Sequence, residues 1–298
     1  MDADHYGRHY AHFLHQLRWI SKLKPLSLAY RLAILSANHQ SPYVISEQRV
    51  KHNISRCISE QLAGQGWTRF MQHTGVANCN IFRMRSFSPQ WISKHVDVEQ
   101  PEYIAQLRET DKPILLMIYH QHHPFLLTVF MGELLGRLIQ VLAMTPKNTP
   151  IYPYVGDIYE QYFVDCAQHY NGGEFLLVDD HPPLTVTRRM AQTLKNKQII
   201  VSLNDIDNPC MGERNLDMPF YHNTLSCPIG AVEIALRHDV EFVAAWVEWM
   251  GGSQFKLEAH PIDPSQGLES IMQQYIHYLQ MMLEQDAGLW EGWKFFDF

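Results

Sequence analysis

The sequence predicts an α/β fold: a single domain with a central, mostly parallel sheet flanked by helices, plus a helical N-terminal extension. Three observations lead there. From Lys112 onward, short apolar runs alternate with amphipathic stretches, the pattern of strand–helix–strand units. The runs Ile114–Tyr119 and Ile199–Leu203 are almost wholly apolar, as strands covered on both faces are. Residues 5–23 instead place Tyr10, Phe13, Leu14, Leu17 and Ile20 at helical spacing.

The elements follow in order. Pro25 ends the first helix, and Leu28–Leu35 reads as a second. After the strand Ile114–Tyr119, His123-Pro124 opens a helix through about Arg137, with proline suited to the first helical position. Leu138–Met144 is the next strand, Asp157–His169 a helix and Phe175–Val178 a strand. Pro183–Lys195 is helical and ends in basic residues, and Ile199–Leu203 follows as a strand. Pro228–Arg237 is expected as a helix and Glu241–Trp249 as a strand. Gly251-Gly252 turns that strand into Gln254–His260, whose alternation predicts an exposed edge strand. Leu268–Glu284 is a final helix with Ile271, Met272, Tyr275, Ile276, Leu279, Met282 and Leu283 inward. The domain division is a basic helical extension over 1–45 and an α/β domain over 46–298.

Composition bounds the function. The chain has 298 residues, 46% hydrophobic, 18% charged and 12% aromatic, the opposite of a disordered balance. No run approaches the roughly 20 apolar residues of a membrane span. The start lacks a signal peptide's apolar core and cleavage site, so a cytoplasmic protein is expected. Net charge is −7, which disfavours nucleic acid as a partner. That charge is uneven: residues 1–46 carry five basic and two acidic groups, and the rest carry 19 and 29. A basic amphipathic arm over residues 5–35 suits an anionic membrane surface or an acidic carrier protein, and an ordinary helix packed on the body is the plainer alternative. The five cysteines are odd in number and form no C-x-x-C pair, so reduced thiols are expected. Cys227 is a conceivable nucleophile but has no paired histidine nearby in sequence.

Two strand ends are chemically loaded, where ligands of open α/β sheets bind. One is Tyr119-His120-Gln121-His122-His123-Pro124, the other Asn204-Asp205-Ile206-Asp207. A histidine at a strand end beside a helix N-terminus can act as a general base, with helix N–H groups facing a developing oxyanion. With 17 histidines in the chain, a surface or capping role is the bland reading. A zinc site drawing on these histidines and the two aspartates is the other chemical reading, although no second spaced His/Cys pair accompanies it. No G-x-x-x-x-G-K, G-x-G-x-x-G or G-x-S-x-G occurs, which disfavours nucleotide enzymes and ordinary α/β hydrolases.

Several blocks, in order, carry a resemblance. They are Gln48-Arg49-Val50-Lys51-His52-Asn53-Ile54, Pro113–Leu127, Thr193-Leu194-Lys195 to Asp207, Met218-Pro219-Phe220-Tyr221 through Gly230-Ala231, and the Trp-rich ending from Glu284 to Lys294. Over residues 45–298 the chain resembles the lysophospholipid acyltransferase-like superfamily, most closely its lipid A biosynthesis lauroyl/myristoyl acyltransferase branch. The resemblance implies acyl transfer from a thioester to a hydroxyl or amine, without a cofactor or metal. It implies an acyl carrier protein or acyl-CoA as donor and a small molecule or lipid as acceptor. Its signature, His then an acid five residues on, sets His120 as the base. The acid position is occupied by Phe125, and shifting to His122 or His123 reaches only Leu127 or Thr128. The usual N-terminal span of that branch is also lacking. A carboxylate from the other strand end, Asp205 or Asp207, is therefore expected to orient His120. The expected catalytic set is His120, His123 and Asp205. His122, Asp207, Phe220, Ser226 and the Gly230 turn are expected around the substrate. A non-catalytic acyl- or carrier-binding protein on the same fold, and a metal-dependent hydrolase, are the rivals.

Overall fold

A computed structural model describes residues 3–149, 151–206 and 214–298. Its centre is a seven-stranded sheet in the order β1-β9-β8-β2-β5-β3-β4. The strands are β1 (Val96–Val98), β2 (Ile114–Ile118), β3 (Ile139–Ala143), β4 (Phe175–Leu177), β5 (Ile199–Leu203), β8 (Glu241–Gly251) and β9 (Gln254–Ile262). All neighbours run parallel except the β8–β9 hairpin. The two strands skipped in that numbering, β6 (Asn215–Phe220) and β7 (Asn223–Pro228), form a separate antiparallel pair. The α/β class and the mostly parallel sheet are as the sequence predicts. β2 lies between β8 and β5 with every residue buried, which is why it reads as an unbroken apolar run.

Three expectations need correction. Gln254–His260 is not an edge strand, because β1 pairs with it and covers Phe255 and Leu257. Pro228 ends β7, so the helix expected from Pro228 to Arg237 shortens to α10 (Gly230–Ala235). The helix expected from Asp157 begins earlier, as α8 (Tyr152–Ala167), with Pro153 in its first turn.

The N-terminal half is helical: α1 (Ala3–Ile20), α2 (Leu26–Gln40), α3 (Glu47–Cys57) and α4 (Glu60–Asn80), then α5 (Pro89–His95) and α6 (Pro101–Glu109) around β1. Tyr10, Phe13, Leu14 and Leu17 of α1 are fully or almost fully buried. The Tyr10 hydroxyl donates to Asn78 on α4 at 2.7 Å and meets the Tyr159 hydroxyl of α8 at 2.9 Å. The apolar stripe of the N-terminal segment is thus packed on the body, and its outer side presents Trp19 at 72% exposure. No helix among the described residues is long and apolar enough to cross a membrane. Later in the chain come α7 (Pro124–Leu135), α9 (Pro183–Lys195) and α11 (Leu268–Gln285), near the predicted bounds.

The α2–α4 crossing depends on a glycine. A Cβ on Gly75 would stand 2.7 Å from the Ile34 Cα and 2.8 Å from the Ala33 carbonyl oxygen, so the two backbones meet directly. Gly64 on the same helix has nothing within 4 Å of a Cβ. Gly75→Ala is therefore expected to destabilise the fold by about 1–3 kcal/mol through overpacking. Gly64→Ala should stabilise it by up to about 1 kcal/mol through helix propensity. Urea unfolding of both variants checks this; equal midpoints for the two would contradict the close approach.

Candidate active site

The site begins with strand pairing. β2 and β5 are adjacent and parallel, and Ile118 stands opposite Leu203. His120 and Asp205 each lie two residues beyond that last pair, so 85 residues of sequence separate side chains that emerge side by side. Tyr275 of α11 ties the two strand ends together. Its hydroxyl donates to the Ile118 carbonyl at 2.7 Å and accepts from the Asn204 N–H at 3.3 Å, while its ring stacks on Tyr119 at 4.5 Å.

Asp205 is fully buried, and its carboxylate accepts three hydrogen bonds. They come from the His120 ring at Nδ1 (2.8 Å), the His120 backbone N–H (2.9 Å) and the Trp290 indole N–H (2.6 Å). A buried carboxylate needs such partners, since desolvation costs it several kcal/mol. With Nδ1 engaged, Nε2 is the free nitrogen of His120, whose side chain is 36% exposed.

The Trp-rich C-terminus frames the histidine loop. The Glu291 N–H donates to the His120 carbonyl at 2.8 Å and the His122 N–H to the Leu289 carbonyl at 3.1 Å. Gln121 bridges to Trp290, and its Oε1 accepts from the Val247 N–H at 3.0 Å. Asn53 on α3 in turn holds this segment, donating to the Trp293 and Phe296 carbonyls at 2.8 Å each. Arg49 pairs with Asp297 at 3.1 Å.

Beside His120 is a cavity of about 240 Å³. Leu142, Val178, Val186, Met190, Ile206 and Ile234 give it a mostly apolar lining. His120, Ser202, Asn204 and Arg214 supply polar groups, and Arg214 pairs with Glu233 at 2.5 Å. Gly230 and Ala231 also line it.

The other expected residues are placed elsewhere. Phe220 is fully buried against Trp290, Trp293 and Phe298, with ring centroids 5.4–6.2 Å apart, and does not line the cavity. Ser226 sits in the β6–β7 pair opposite Asp217, also off the cavity. Asp207 lies outside the described residues. No residue of the first turn of α7 lines the cavity, so oxyanion contact by that turn gains no support from the geometry. Phe125, at the position of the missing acid, packs against Tyr162, Phe163 and Phe175. Glu133 is engaged by His169 at 2.6 Å. Cys227 is fully buried, and burial pushes its thiol up, away from a nucleophilic form. Among the described residues no three His, Cys, Asp or Glu side chains group as a metal site.

His122 and His123 turn inward, away from Asp205, into a buried cluster that sequence reasoning did not find. His123 Nε2 meets His73 Nδ1 at 3.3 Å, and His73 Nε2 meets Asp286 at 2.8 Å. Arg69 reaches Asp286 at 2.6 Å and Glu248 at 3.0 Å. His122 stacks near His73 at 5.9 Å, and its Nδ1 is 3.5 Å from both Thr74 and Glu291. Burial, reinforced by His73, pushes His122 and His123 well below the usual histidine range. Burial also lowers His73, against the pull of Asp286. Burial alone would raise Asp286, yet His73 and Arg69 hold it below the carboxylate range. Burial and then Asp286 push Glu248 up to about 7. Both histidines are thereby neutral packing groups, and neither lines the cavity, contrary to the catalytic role expected of His123 and the substrate contact expected of His122.

This cluster makes stability pH-dependent. In the unfolded chain the three histidines titrate near 6.5 (roughly). Folded, they stay neutral below that value, so unfolding takes up protons and stability falls as pH drops through about 6.5. Glu248 acts in the opposite sense, because up to about 7 the folded state holds its proton more firmly, and it offsets part of the loss. The urea midpoint is expected to fall between pH 7.5 and 5.5, and His123→Gln should reduce that fall. Equal midpoints at the two pH values would contradict the buried neutral cluster.

No protein-family model matches this chain, and no curated protein matches it, so the functional reading rests on the residues themselves.

Proposed function

We propose that this protein is an acyltransferase that moves an acyl group from a thioester, on a carrier protein or coenzyme A, to a hydroxyl or amine acceptor. The observation that carries the reading is the His120–Asp205 pair, 2.8 Å apart, beside a mostly apolar cavity. The ordered blocks that resemble the lipid A acyltransferase branch support the same chemistry, with Asp205 taking the place of the acid that Phe125 lacks.

In this reading His120 Nε2 accepts the proton of the acceptor O–H or N–H as that atom attacks the thioester carbonyl. The tetrahedral intermediate collapses by breaking the C–S bond. The departing thiolate takes the proton back from His120, so the histidine ends as it began. Asp205 fixes the Nδ1–H tautomer and stabilises the imidazolium between the two transfers. The acyl chain occupies the cavity between α9, α10 and the ends of β3 and β5.

The test is thiol release and product formation with a panel of acyl-CoA and acyl-carrier donors against hydroxyl and amine acceptors. His120→Ala should lower turnover at least about 100-fold, the scale of a general base, in a protein that still unfolds cooperatively, at a midpoint lowered by the loss of one donor to Asp205. Asp205→Asn should also lower turnover by about 100-fold or more, because the amide no longer fixes the tautomer. Wild-type turnover in His120→Ala would overturn the reading. Acyl binding without any product from the intact protein would favour a binding protein on this fold, the outcome that Phe125 in place of the acid would then explain.

A further inference from the structure

Away from His120, a second and larger cleft of about 690 Å³ opens between the end of α1, the segment after α4, and α8. Four cations line it: Arg18, Lys22, Arg83 and Arg85. Two carboxylates face them, Asp157 and Asp165. Asp165 is already occupied, by Arg85 at 2.6 Å and by the Gln161 amide at 2.6 Å. Arg83 donates to the Ser21 carbonyl at 2.6 Å, which anchors its guanidinium at the end of α1. Its buried Nε has no hydrogen-bond partner among the described residues. Lys22 rests 4.5 Å from the Trp19 ring centre, and neither Arg18 nor Lys22 has an ion-pair partner among the described residues. The chain as a whole is acidic at −7, yet it gathers this excess of positive charge into one concave surface. Like charges gathered on one concave surface repel one another, and a bound anion relieves that repulsion.

We propose that this cleft is a binding site for a phosphate group carried by an organic molecule. Guanidinium forks match the oxygen geometry of phosphate, and Arg18, Arg83 and Arg85 all line the cleft. Ile81, Phe82 and Ile158 give the same cleft apolar wall for the organic remainder. Its volume falls in the range of small-molecule sites, about 300–1,000 Å³. The group is supplied either by a soluble phosphomonoester or by the headgroup of an anionic phospholipid. This site is independent of the acyl-transfer reading, since its test reads binding and not turnover.

The experiment titrates the intact protein with glycerol 3-phosphate by calorimetry, and with phosphatidylglycerol vesicles against phosphatidylcholine vesicles by sedimentation. The variants are Arg18→Gln/Lys22→Gln, two exposed positions, and Arg189→Gln, an exposed arginine elsewhere, as control. Saturable, salt-sensitive binding of glycerol 3-phosphate, weakened at least tenfold in the double variant and unchanged in the control, supports the site with a soluble ligand. Binding confined to phosphatidylglycerol vesicles, with the same dependence on the two variants, supports it with a lipid headgroup as source. Absence of binding to both probes overturns the proposal. Equal binding by the double variant and the intact protein also overturns it.

Discussion

The buried Asp205 carboxylate is the constraint around which the site is arranged. A fully buried carboxylate must be met by donors, and three N–H groups from two distant parts of the chain do so. Two come from His120 at the end of β2, and one from Trp290 in the C-terminal segment. Satisfying one charge therefore fixes the imidazole orientation, the path of the histidine loop and the docking of the C-terminus at once. The supports around it act through this point. Tyr275 sets the distance between the two strand ends, and Asn53 holds the segment that carries Trp290.

Much of this was legible in the sequence, for a physical reason. Strands covered on both faces lose their polar alternation, so β2 and β5 stand out as apolar runs, and proline marks the start of α7 and α9. The relocated acid was narrowed to Asp205 or Asp207, since strand ends were the places to look. Which of them meets His120 depends on β2 and β5 being neighbours with Ile118 opposite Leu203, a long-range pairing that local pattern does not encode. Phe220 illustrates the same gap. Its position in a motif suggested substrate contact, but its ring is consumed by packing against the C-terminal tryptophans.

α4 was not legible, and the histidine cluster went with it. That helix carries Gly64, Gly66 and Gly75 and buries His73, Thr74, Asn78 and Asn80 among Phe70, Met71, Val76 and Cys79, so polar residues and glycines break up the apolar stripe of its inward face. The resemblance set His120, which faces the cavity, as the base, but without α4 nothing in the sequence showed that His122 and His123 turn into a buried network with His73 and Asp286. The basic front end was legible as charge but not as shape. Folding divides it into a buried apolar stripe and a cationic cleft completed by Arg83 and Arg85, residues outside the N-terminal segment.

The central claim is that Asp205 holds His120 with its proton on Nδ1 and leaves Nε2 free as a base. Nitrogen-15 NMR of the ring, with His120→Gln used to assign the signal, measures this directly. The account predicts the Nδ1–H tautomer at neutral pH, with a strongly downfield ring N–H proton that moves upfield or is lost in Asp205→Asn. A His120 ring protonated on Nε2 in the intact protein, or a spectrum unchanged by Asp205→Asn, would contradict it.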